Sequence, residues 1–466
     1  MTKNIVVIGG GITGLTAAYR LEQAARESNG QLSYTLLEAS PRLGGKIRTL
    51  YKDGFIIERG PDSFLERKTS AAELCKEIGL EDELVRNTTG QSYVLIDETL
   101  HPIPKGAVMG VPTSFRPFIT SKMFTPVGKL RASADIFIPK SNETGDQSVG
   151  AFFRRRLGDQ VVDHLIEPLL SGIYGGNIDR LSLFATFPQF YEVEQKKRSL
   201  ILGMKQSRTK PLQKKKGQFL TLKNGLETIV ERLAEELTLG DIRTGMAVTD
   251  VERNGDRYDV HTEEGVIQAD GVIFAAGHRN LSEVIKDEAI VQPIVDMPSA
   301  SLATVAMAFR EEAVEGLKDG TGFVVSKKSD YDITACTWTQ KKWPHTTPEG
   351  HVLLRAYVGK PGNEGIIEQS DDAIVGIALH DLKKVIQIHE APLFSVVTRW
   401  RQATPQYVVG HKERIEQLKS ALNEHYLRFV LAGSSYDGLG LPDCITQANK
   451  AAETMLSFVQ DKKILS

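Results

Sequence analysis

Six residues near the start of the chain, Gly9 to Gly14, have the types and spacing of a turn that binds the phosphates of a dinucleotide. An apolar, β-branched run precedes them and apolar residues at helical spacing follow, which predicts a strand, a tight turn and a helix. Glycines let the backbone approach a pyrophosphate, and the start of a helix favours negative charge. A valine at Gly11 or Gly14 is therefore expected to exclude the pyrophosphate. The expected binding residues of this turn are Gly9, Gly10, Gly11, Ile12, Thr13 and Gly14.

An acid and a second glycine pair follow the predicted second strand. Glu38 ends that strand 24 residues after Gly14, where a carboxylate is expected to accept hydrogen bonds from the adenosine ribose. This much does not separate NAD from FAD. Arg42, Gly44 and Gly45 come next, and a second close approach of the backbone to an extended dinucleotide favours FAD.

The last forty residues contain a complementary element. An apolar strand, Phe429 to Leu431, leads into a glycine-rich loop and a helix expected to begin near Asp443, with Asp443 as its N-cap and Pro442 extended before it. An ordinary surface loop remains the alternative for Gly438 and Gly440. Cys444 is expected to be a small buried side chain rather than a site of covalent flavin attachment.

These segments resemble the flavin-containing amine oxidases and protoporphyrinogen oxidases, whose R-x-G-G-[RK] signature is matched by Arg42 to Lys46. The resemblance implies a bound FAD, with the backbone near Val248 at the adenine and the closing loop under the isoalloxazine ring. Trp400 is placed near that ring, with a core position as its alternative, and the Gly60 to Ser63 loop has a plain turn as its alternative. The further cofactor-binding residues so implied are Ala39, Arg42, Gly45, Lys46, Gly60, Pro61, Asp62, Ser63, Val248, Trp400, Gly438, Leu439, Gly440 and Leu441.

The opening and closing elements lie at opposite ends of the chain, so the cofactor domain must be discontinuous. The expected fold is α/β, with a Rossmann-like FAD-binding domain, an inserted antiparallel-sheet substrate domain and a mostly helical insertion. The predicted FAD domain comprises 1–78, 218–286 and 397–466. The predicted substrate domain comprises 79–108, 182–217 and 287–396, and the helical insertion comprises 109–181.

Further segments along the chain, among them "RGPDSFLERK", "IEPLLSGIYGGNIDRLS" and "PQYVVGH", resemble the Gram-positive bacterial branch of the protoporphyrinogen and coproporphyrinogen oxidases. The resemblance implies oxidation of coproporphyrinogen III to coproporphyrin III in haem synthesis, with three O2 reduced to H2O2. The flavin carries the chemistry and no side chain is assigned a catalytic role; Lys68 and Ile173 are the candidate substrate contacts, with a solvated lysine as the alternative for Lys68. The alternatives are protoporphyrinogen IX oxidation, amine oxidation, for which Tyr436 supplies one aromatic side chain, and a flavin-bearing binding subunit without activity.

Composition and charge limit the setting in which the protein works. Three widely separated cysteines without a CxxC pair indicate a reducing compartment and no disulfide framework, and the histidines show no metal-ligand spacing. No apolar run is long enough to span a bilayer, so the expected location is cytoplasmic, with loose membrane contact through 109–181 as an option. An apolar stripe there, including Val161, Leu165 and Ile166, is expected to face the core.

The charge is unevenly distributed. Between Lys105 and Lys216 there are 19 Lys and Arg against 9 Asp and Glu, which suggests contact with an anionic molecule. A solvated face is the alternative for any one run, such as Lys214 to Lys216. The expected partners are the porphyrinogen, O2 and, transiently, other haem-synthesis enzymes; neither nucleic acid nor a metal ion is expected.

Overall fold

A five-stranded parallel sheet carries the first and last motifs side by side. The computed structural model describes residues 2–206 and 217–460, without the side chains of Ile173, Gln206 and Gln460. Alternate residues of the first strand enter different cores, Ile5 and Val7 on one face and Val6 and Ile8 on the other, so the strand is apolar throughout. The strands, in spatial order, are Asp241–Thr244, Leu32–Glu38, Lys3–Ile8, Gly271–Phe274 and Phe429–Leu431.

Helices cover both faces of this sheet. One face carries Ile12–Glu27, Ser70–Glu77, Glu227–Glu236 and Leu441–Gln460. The other face carries His278–Val284, Glu288–Val295 and His411–His425, with an antiparallel meander of Val248–Asn254, Arg257–Thr262 and Gly265–Ala269 beside them. The sheet therefore has the layered α/β arrangement expected from the glycine-rich first turn.

A seven-stranded, mostly antiparallel sheet forms the second layer, and helix Asp371–Lys383 packs on it. Among the strand pairs described for this sheet, only that of Gly322–Val325 with Tyr93–Ile96 is parallel. The strands, in spatial order, are Phe394–Pro405, Ser299–Arg310, His351–Val358, Ile333–Trp338, Gly322–Val325, Tyr93–Ile96 and Thr99–Pro102.

A group of helices forms a third core. The expected stripe packs inward: Val161, Leu165 and Ile166 are fully buried among the aromatic residues of this core. A π-helical turn, Val162–Ile166, interrupts the helical segment there. The helices are Phe115–Thr120, Pro126–Ser133, Val149–Leu157, Asp159–Val161, Glu167–Tyr174, Leu183–Thr186, Pro188–Lys197 and Leu200–Gln206.

Short elements connect these layers. A hairpin, Thr49–Lys52 with Phe55–Glu58, precedes the Gly60 loop, and Phe219–Leu222 pairs with both Phe64–Leu65 and Leu84–Arg86. Further short elements are Ala107–Val108 with Val111–Pro112, Val314–Glu315 with Gln387–Ile388, and helix Thr339–Lys342.

Three segments depart from the expected domain limits. Strand Phe394–Pro405 passes through position 397 without interruption, because it pairs with Ser299–Arg310 along most of its length. Leu183, Phe190 and Leu200 pack in the helical core rather than on the seven-stranded sheet. Helix Glu288–Val295 packs beside the five-stranded sheet, because Ile290, Val291 and Ile294 join the core on that face. The Lys214 to Lys216 run lies outside the described residues.

Candidate active site

The first glycine turn is tightly packed at Gly14 and has free space at Gly11. Gly9 has φ 107°, a conformation that favours glycine, and the carbonyl oxygen of Gly9 lies 1.8 Å from where a Cβ of Gly14 would be. A Cβ at Gly11 would meet no atom within 4 Å. Gly11 is the N-cap of helix Ile12–Glu27, without a side-chain cap, so the first N–H groups of the helix are left for a ligand. A valine at Gly14 was expected to exclude the pyrophosphate, and that reason was wrong. A side chain at position 14 would clash with the Gly9 carbonyl within the turn itself.

The Glu38 carboxylate lies against this turn. One of its oxygens accepts a hydrogen bond from the Gly10 N–H at 2.6 Å, and the other accepts one from the Ser40 N–H at 2.8 Å. A carboxylate has acceptor capacity beyond these two bonds, which is what ribose hydroxyls would use. Ala39 is exposed beside it. Val248 is half-buried at the start of its strand, two residues after Met246, whose N–H donates to the Glu38 carbonyl.

The second glycine loop contacts the first. The Gly44 N–H donates to the Gly10 carbonyl at 2.8 Å, and a Cβ on Gly45 would lie 3.2 Å from the Gly11 Cα. Both glycines of this pair have positive φ. The two loops therefore make one cradle of backbone, which matches an extended dinucleotide better than a turn acting alone.

The Arg42 guanidinium holds this second loop in shape. It donates to the carbonyls of Gly45 and Ile47, and it pairs with the Glu227 carboxylate at 2.7 Å. Because these bonds occupy the guanidinium, Arg42 stabilises the second loop and does not extend into the cradle.

Lys46, Gly60 and Trp400 meet at the far end of the cradle. A Cβ on Gly60 would lie 1.8 Å from the Lys46 carbonyl and 3.5 Å from the Trp400 ring. The Trp400 indole N–H donates to the Arg59 carbonyl at 2.9 Å. The Lys46 side chain reaches solvent but has protein on most sides, and this burial lowers the pKa of its ammonium group. The sequence places these three residues far apart, and the fold makes them neighbours.

The side chains of Asp62 and Ser63 are engaged by the second layer. The Asp62 carboxylate accepts from Lys342 Nζ at 2.7 Å and from the Ser63 hydroxyl. Burial alone would raise the pKa of Asp62, but the Lys342 ammonium and the Arg355 guanidinium outweigh it and hold that pKa well below its usual range. Because Arg355 also donates to the Gly60 carbonyl, the Gly60–Pro61 backbone is clamped and these two side chains anchor it.

The closing loop is tied down by a tyrosine that the sequence analysis did not single out. The Tyr407 hydroxyl accepts from the Gly438 N–H at 2.8 Å and donates to the Ser434 carbonyl at 2.7 Å. The helix begins at Leu441, immediately after Gly440 and two residues before Asp443, so its expected start is close to the observed one. Pro442 lies in its first turn, where a missing N–H costs nothing, so the expected extended proline and Asp443 N-cap were wrong. Leu439 packs against the helical core.

Two histidines hold the same loop from the other side. His411 contacts the Tyr436 carbonyl through Nε2 at 3.2 Å, and its ring stacks on Tyr407 with centroids 3.9 Å apart. His278 meets the Ser435 hydroxyl at 3.1 Å. Burial lowers the pKa of both rings, that of His411 to about 4, so both are neutral at pH 7. The "PQYVVGH" stretch places Tyr407 and His411 four residues apart, and that spacing was the available signal.

Two residues considered for chemistry are core residues instead. Tyr436 is buried beneath the parallel sheet, with its hydroxyl 3.4 Å from the Ala276 carbonyl. Cys444 is buried against the first helix, and burial raises the pKa of its thiol to about 11. Tyr436 therefore does not provide the aromatic wall that an amine oxidase would use.

The two candidate substrate contacts approach the closing loop from different elements. Lys68 Nζ lies 2.6 Å from both carboxylate oxygens of Asp443, in the first turn of the last helix. Ile173 lies in helix Glu167–Tyr174, but its side chain is outside the described residues. The next residue, Tyr174, contacts Tyr407 with ring centroids 6.0 Å apart, so this helix borders the loop.

Two features are absent from the part of the chain that the structure describes. Over 2–206 and 217–460, no three His, Cys, Asp or Glu side chains are grouped to hold a metal ion. Over the same residues, no helix combines the length and apolar character needed to cross a membrane.

The fold and the paired glycine loops define a flavin oxidoreductase, and comparison with known proteins agrees. The model of the family "Flavin containing amine oxidoreductase" matches residues 12–456, and the chain belongs to that family. This membership confirms the predicted flavin cofactor. Solved structures at far lower identity share the fold, including a reduced UDP-galactopyranose mutase with a TM-score of 0.73 and 15% identity over 98% of this chain and 94% of that one.

More similar proteins narrow the comparison. The chain is 52% identical to the coproporphyrinogen III oxidase of Bacillus subtilis, over 98% of both chains. It is 44% identical to the coproporphyrinogen III oxidase of Staphylococcus aureus, over 98% of this chain and 100% of that one. A crystal structure of a putative protoporphyrinogen oxidase from Exiguobacterium superposes with a TM-score of 0.88 at 41% identity, covering 98% and 99% of the two chains.

Proposed function

We propose that the protein is an FAD-dependent oxidase that converts coproporphyrinogen III to coproporphyrin III, a step of haem synthesis. The observation that carries the substrate assignment is the 52% identity, over nearly the whole of both chains, to a protein of that name. The cradle of Gly11, Gly44 and Gly45 supports the cofactor assignment independently, because a Cβ at Gly11 would meet no atom within 4 Å and the second glycine loop packs its backbone directly against the first.

The residues present fit an FAD molecule. Gly11 and the start of its helix would hold the pyrophosphate, Glu38 would accept from the ribose, and backbone near Val248 would face the adenine. The Gly60 loop, Trp400 and the Gly438 loop would border the isoalloxazine ring. Bound flavin would supply the redox chemistry, namely three two-electron oxidations of the substrate with O2 as the final electron acceptor and H2O2 as its product.

The protein's part in this reaction is to position the macrocycle and keep the cofactor rigid. Arg355 and Asp62 clamp the Gly60 loop, and Tyr407 with the two histidines clamps the Gly438 loop. Each oxidation would remove a hydride from a bridge carbon and a proton from a pyrrole N–H that becomes acidic as its ring is oxidised, and tautomerisation would move one proton from the fourth bridge carbon to a pyrrole nitrogen. The proposed chemistry thus depends on orientation rather than on a dedicated side-chain base.

Much of the excess positive charge in the middle segment has internal partners. Arg156 is fully buried and pairs with Asp135 and Glu194. Arg154 pairs with Asp159, Asp163 and Asp179. These arginines hold the helical core together, so the attraction for an anionic substrate must come from fewer cations near the closing loop. Lys68 is one of these cations. Its exposed ion pair with Asp443 is worth at most about 1 kcal/mol, so a carboxylate of the substrate can compete with Asp443 for the ammonium group.

We further propose that the protein works in the cytoplasm and contacts membrane surfaces loosely. The supporting feature is a group of exposed apolar side chains, Val127 and Leu130 in helix Pro126–Ser133 and Phe137 four residues after its end, each about three-quarters exposed. Lys129 and Arg131 lie between them, which suits an anionic bilayer surface. Flotation with anionic vesicles tests this: Leu130→Ser should reduce binding, and equal binding by the variant contradicts the proposal.

We propose that each structural layer has its own role. The parallel sheet and its helices would bind FAD, the seven-stranded sheet would form the roof over the substrate, and the helical group would close its side. The proposed cofactor domain keeps the segments 1–78, 218–286 and 397–466, except that strand Phe394–Pro405 belongs to the roof and helix Glu288–Val295 belongs to the cofactor layer.

One assay separates the proposed activity from its alternatives. Purified protein is supplied in air with coproporphyrinogen III, protoporphyrinogen IX or primary amines, and porphyrin fluorescence and H2O2 are followed. The expected result is the highest kcat/KM with coproporphyrinogen III, three H2O2 per porphyrin and no amine oxidation. A preference for protoporphyrinogen IX, or flavin-loaded protein without turnover, overturns the assignment.

A further inference from the structure

A cavity of about 310 Å³ opens where the helical group meets the seven-stranded sheet. Its walls come from three places: the Gly175–Leu181 segment after helix Glu167–Tyr174, the Pro298–Ala300 segment at the start of a roof strand, and the Pro361–Glu364 loop. Its size lies at the lower limit for pockets that bind small molecules. It therefore has room for part of a large ligand, such as one substituent of a macrocycle.

The cavity has a cation and unsatisfied hydrogen-bonding capacity. Arg180 lines it, is exposed, and makes no side-chain hydrogen bond or ion pair with any described residue. Ser299 also lines it, and its hydroxyl is buried without a partner among the same residues. A guanidinium and a hydroxyl donor together recognise a carboxylate.

The opposite wall carries one acid. Glu364 lines the cavity on the loop side, and its carboxylate accepts from the Gly362 N–H at 3.1 Å within its own loop. A carboxylate ligand is thus favoured at the Arg180 side and disfavoured at the loop side, which gives the site a direction.

Strand register places the cavity next to the proposed flavin face. Leu302 pairs with Trp400, and Ala300, a lining residue two positions earlier, pairs with Thr404, with a shift of register between the two pairs. Along the strand that carries Ala300, two residues span about 7 Å. On the helical side, Gly175 follows Ile173 by two residues. A macrocycle lying over Trp400 would therefore direct a peripheral substituent towards Arg180.

We propose that this cavity binds a propionate of the porphyrinogen, with Arg180 as its counter-ion, an inference that rests on the proposed substrate class. Coproporphyrinogen III has four propionates, whereas protoporphyrinogen IX has two propionates and two vinyl groups. The cavity takes one of the propionates that the second molecule lacks. Arg180 is then a residue that determines specificity, at a site separate from Lys68.

The test compares both porphyrinogens in Arg180→Ala, Arg180→Lys and the surface control Arg279→Ala. The alanine variant should raise KM for coproporphyrinogen about tenfold, since a charge-assisted hydrogen bond is lost, with kcat within about twofold and KM for protoporphyrinogen nearly unchanged. The lysine variant should restore most of the lost affinity, and the control should match the parent protein.

A binding measurement reports on the site without turnover. Quenching of coproporphyrin III fluorescence by the oxidised protein should weaken in Arg180→Ala and recover in Arg180→Lys, and Ser299→Ala should weaken it less. An equal rise in KM for both substrates, or unchanged coproporphyrin binding, overturns the inference while the oxidase assignment stands. Failure of the parent protein to oxidise coproporphyrinogen is a different result, because it overturns the proposed function itself.

Discussion

The carbonyl oxygen of Gly9 lies 1.8 Å from the position that a Cβ of Gly14 would occupy, while a Cβ on Gly11 would meet nothing within 4 Å. Two glycines of one motif are thus required for different reasons. Gly14 lets the turn close on itself, and Gly11 leaves space for what the turn binds.

Gly14→Ala and Gly11→Val should therefore fail differently. Alanine in a helix interior usually stabilises by about 1 kcal/mol over glycine, but at position 14 it should destabilise by about 3 kcal/mol or prevent folding. Gly11→Val should fold and be colourless. Circular dichroism and the visible flavin absorbance check both, and a yellow Gly11→Val protein would contradict the pyrophosphate assignment.

Lys68 and Asp443 offer a second pair of variants. Lys68→Ala should raise KM for coproporphyrinogen about threefold, more than for protoporphyrinogen, and change the free energy of unfolding by less than about 1 kcal/mol because the pair is exposed. Asp443→Asn frees the ammonium group and should lower KM for coproporphyrinogen. Steady-state kinetics at low and high salt measure both effects, and the differences should shrink as salt rises. If Asp443→Asn raises KM instead, Lys68 is not a propionate contact.

How much of this site could be foreseen depended on sequence separation. The strand, glycine turn and Glu38 are linked by local backbone geometry, so their spacing was enough to predict a strand, a turn, a helix and an acid at the end of the second strand. The hydrogen bond from the Gly10 N–H to Glu38 was not part of that prediction. The tie between Lys68 and Asp443 joins residues 375 positions apart, and the bond from Trp400 to Arg59 joins residues 341 apart. No local pattern encodes such distances; only the packing of the layers does.

The same reasoning explains two errors. Asp443 followed by an apolar helical pattern has the composition of an N-cap, but Pro442 is equally suited to a first helical turn, and the helix starts at Leu441. The expected boundary at residue 397 relied on the resemblance of the final segment to a cofactor domain. Strand pairing, which the sequence does not display, carries Phe394–Pro405 across it.

Tyr407→Phe tests the clamp on the closing loop. The substitution removes one hydroxyl that donates to Ser434 and accepts from Gly438, leaving both backbone groups unsatisfied. The free energy of unfolding should fall by about 1–3 kcal/mol, and the visible spectrum of the bound flavin should shift. Tyr191→Phe is the matched control, since its hydroxyl bonds the Glu143 carbonyl on the exposed side of the helical group. Equal effects of the two variants would mean that the Gly438 loop does not depend on Tyr407.

His411 makes stability depend on pH. Burial lowers the pKa of its ring to about 4, against 6.5 for the free side chain. Above about pH 6.5 the ring is neutral in both the folded and the unfolded chain, and its contribution to stability is complete. Between about pH 6.5 and 4 the unfolded chain takes up a proton that the folded one does not, so stability falls as the pH is lowered, by about 2 kcal/mol at pH 5.

His411→Asn removes this group and should flatten that part of the dependence of stability on pH, while His278 and the carboxylates keep their own contributions. Urea unfolding of both proteins at about pH 5 and pH 7.5 measures the difference. Identical losses on acidification would show that His411 is protonated in the folded chain, contrary to its burial against Tyr407.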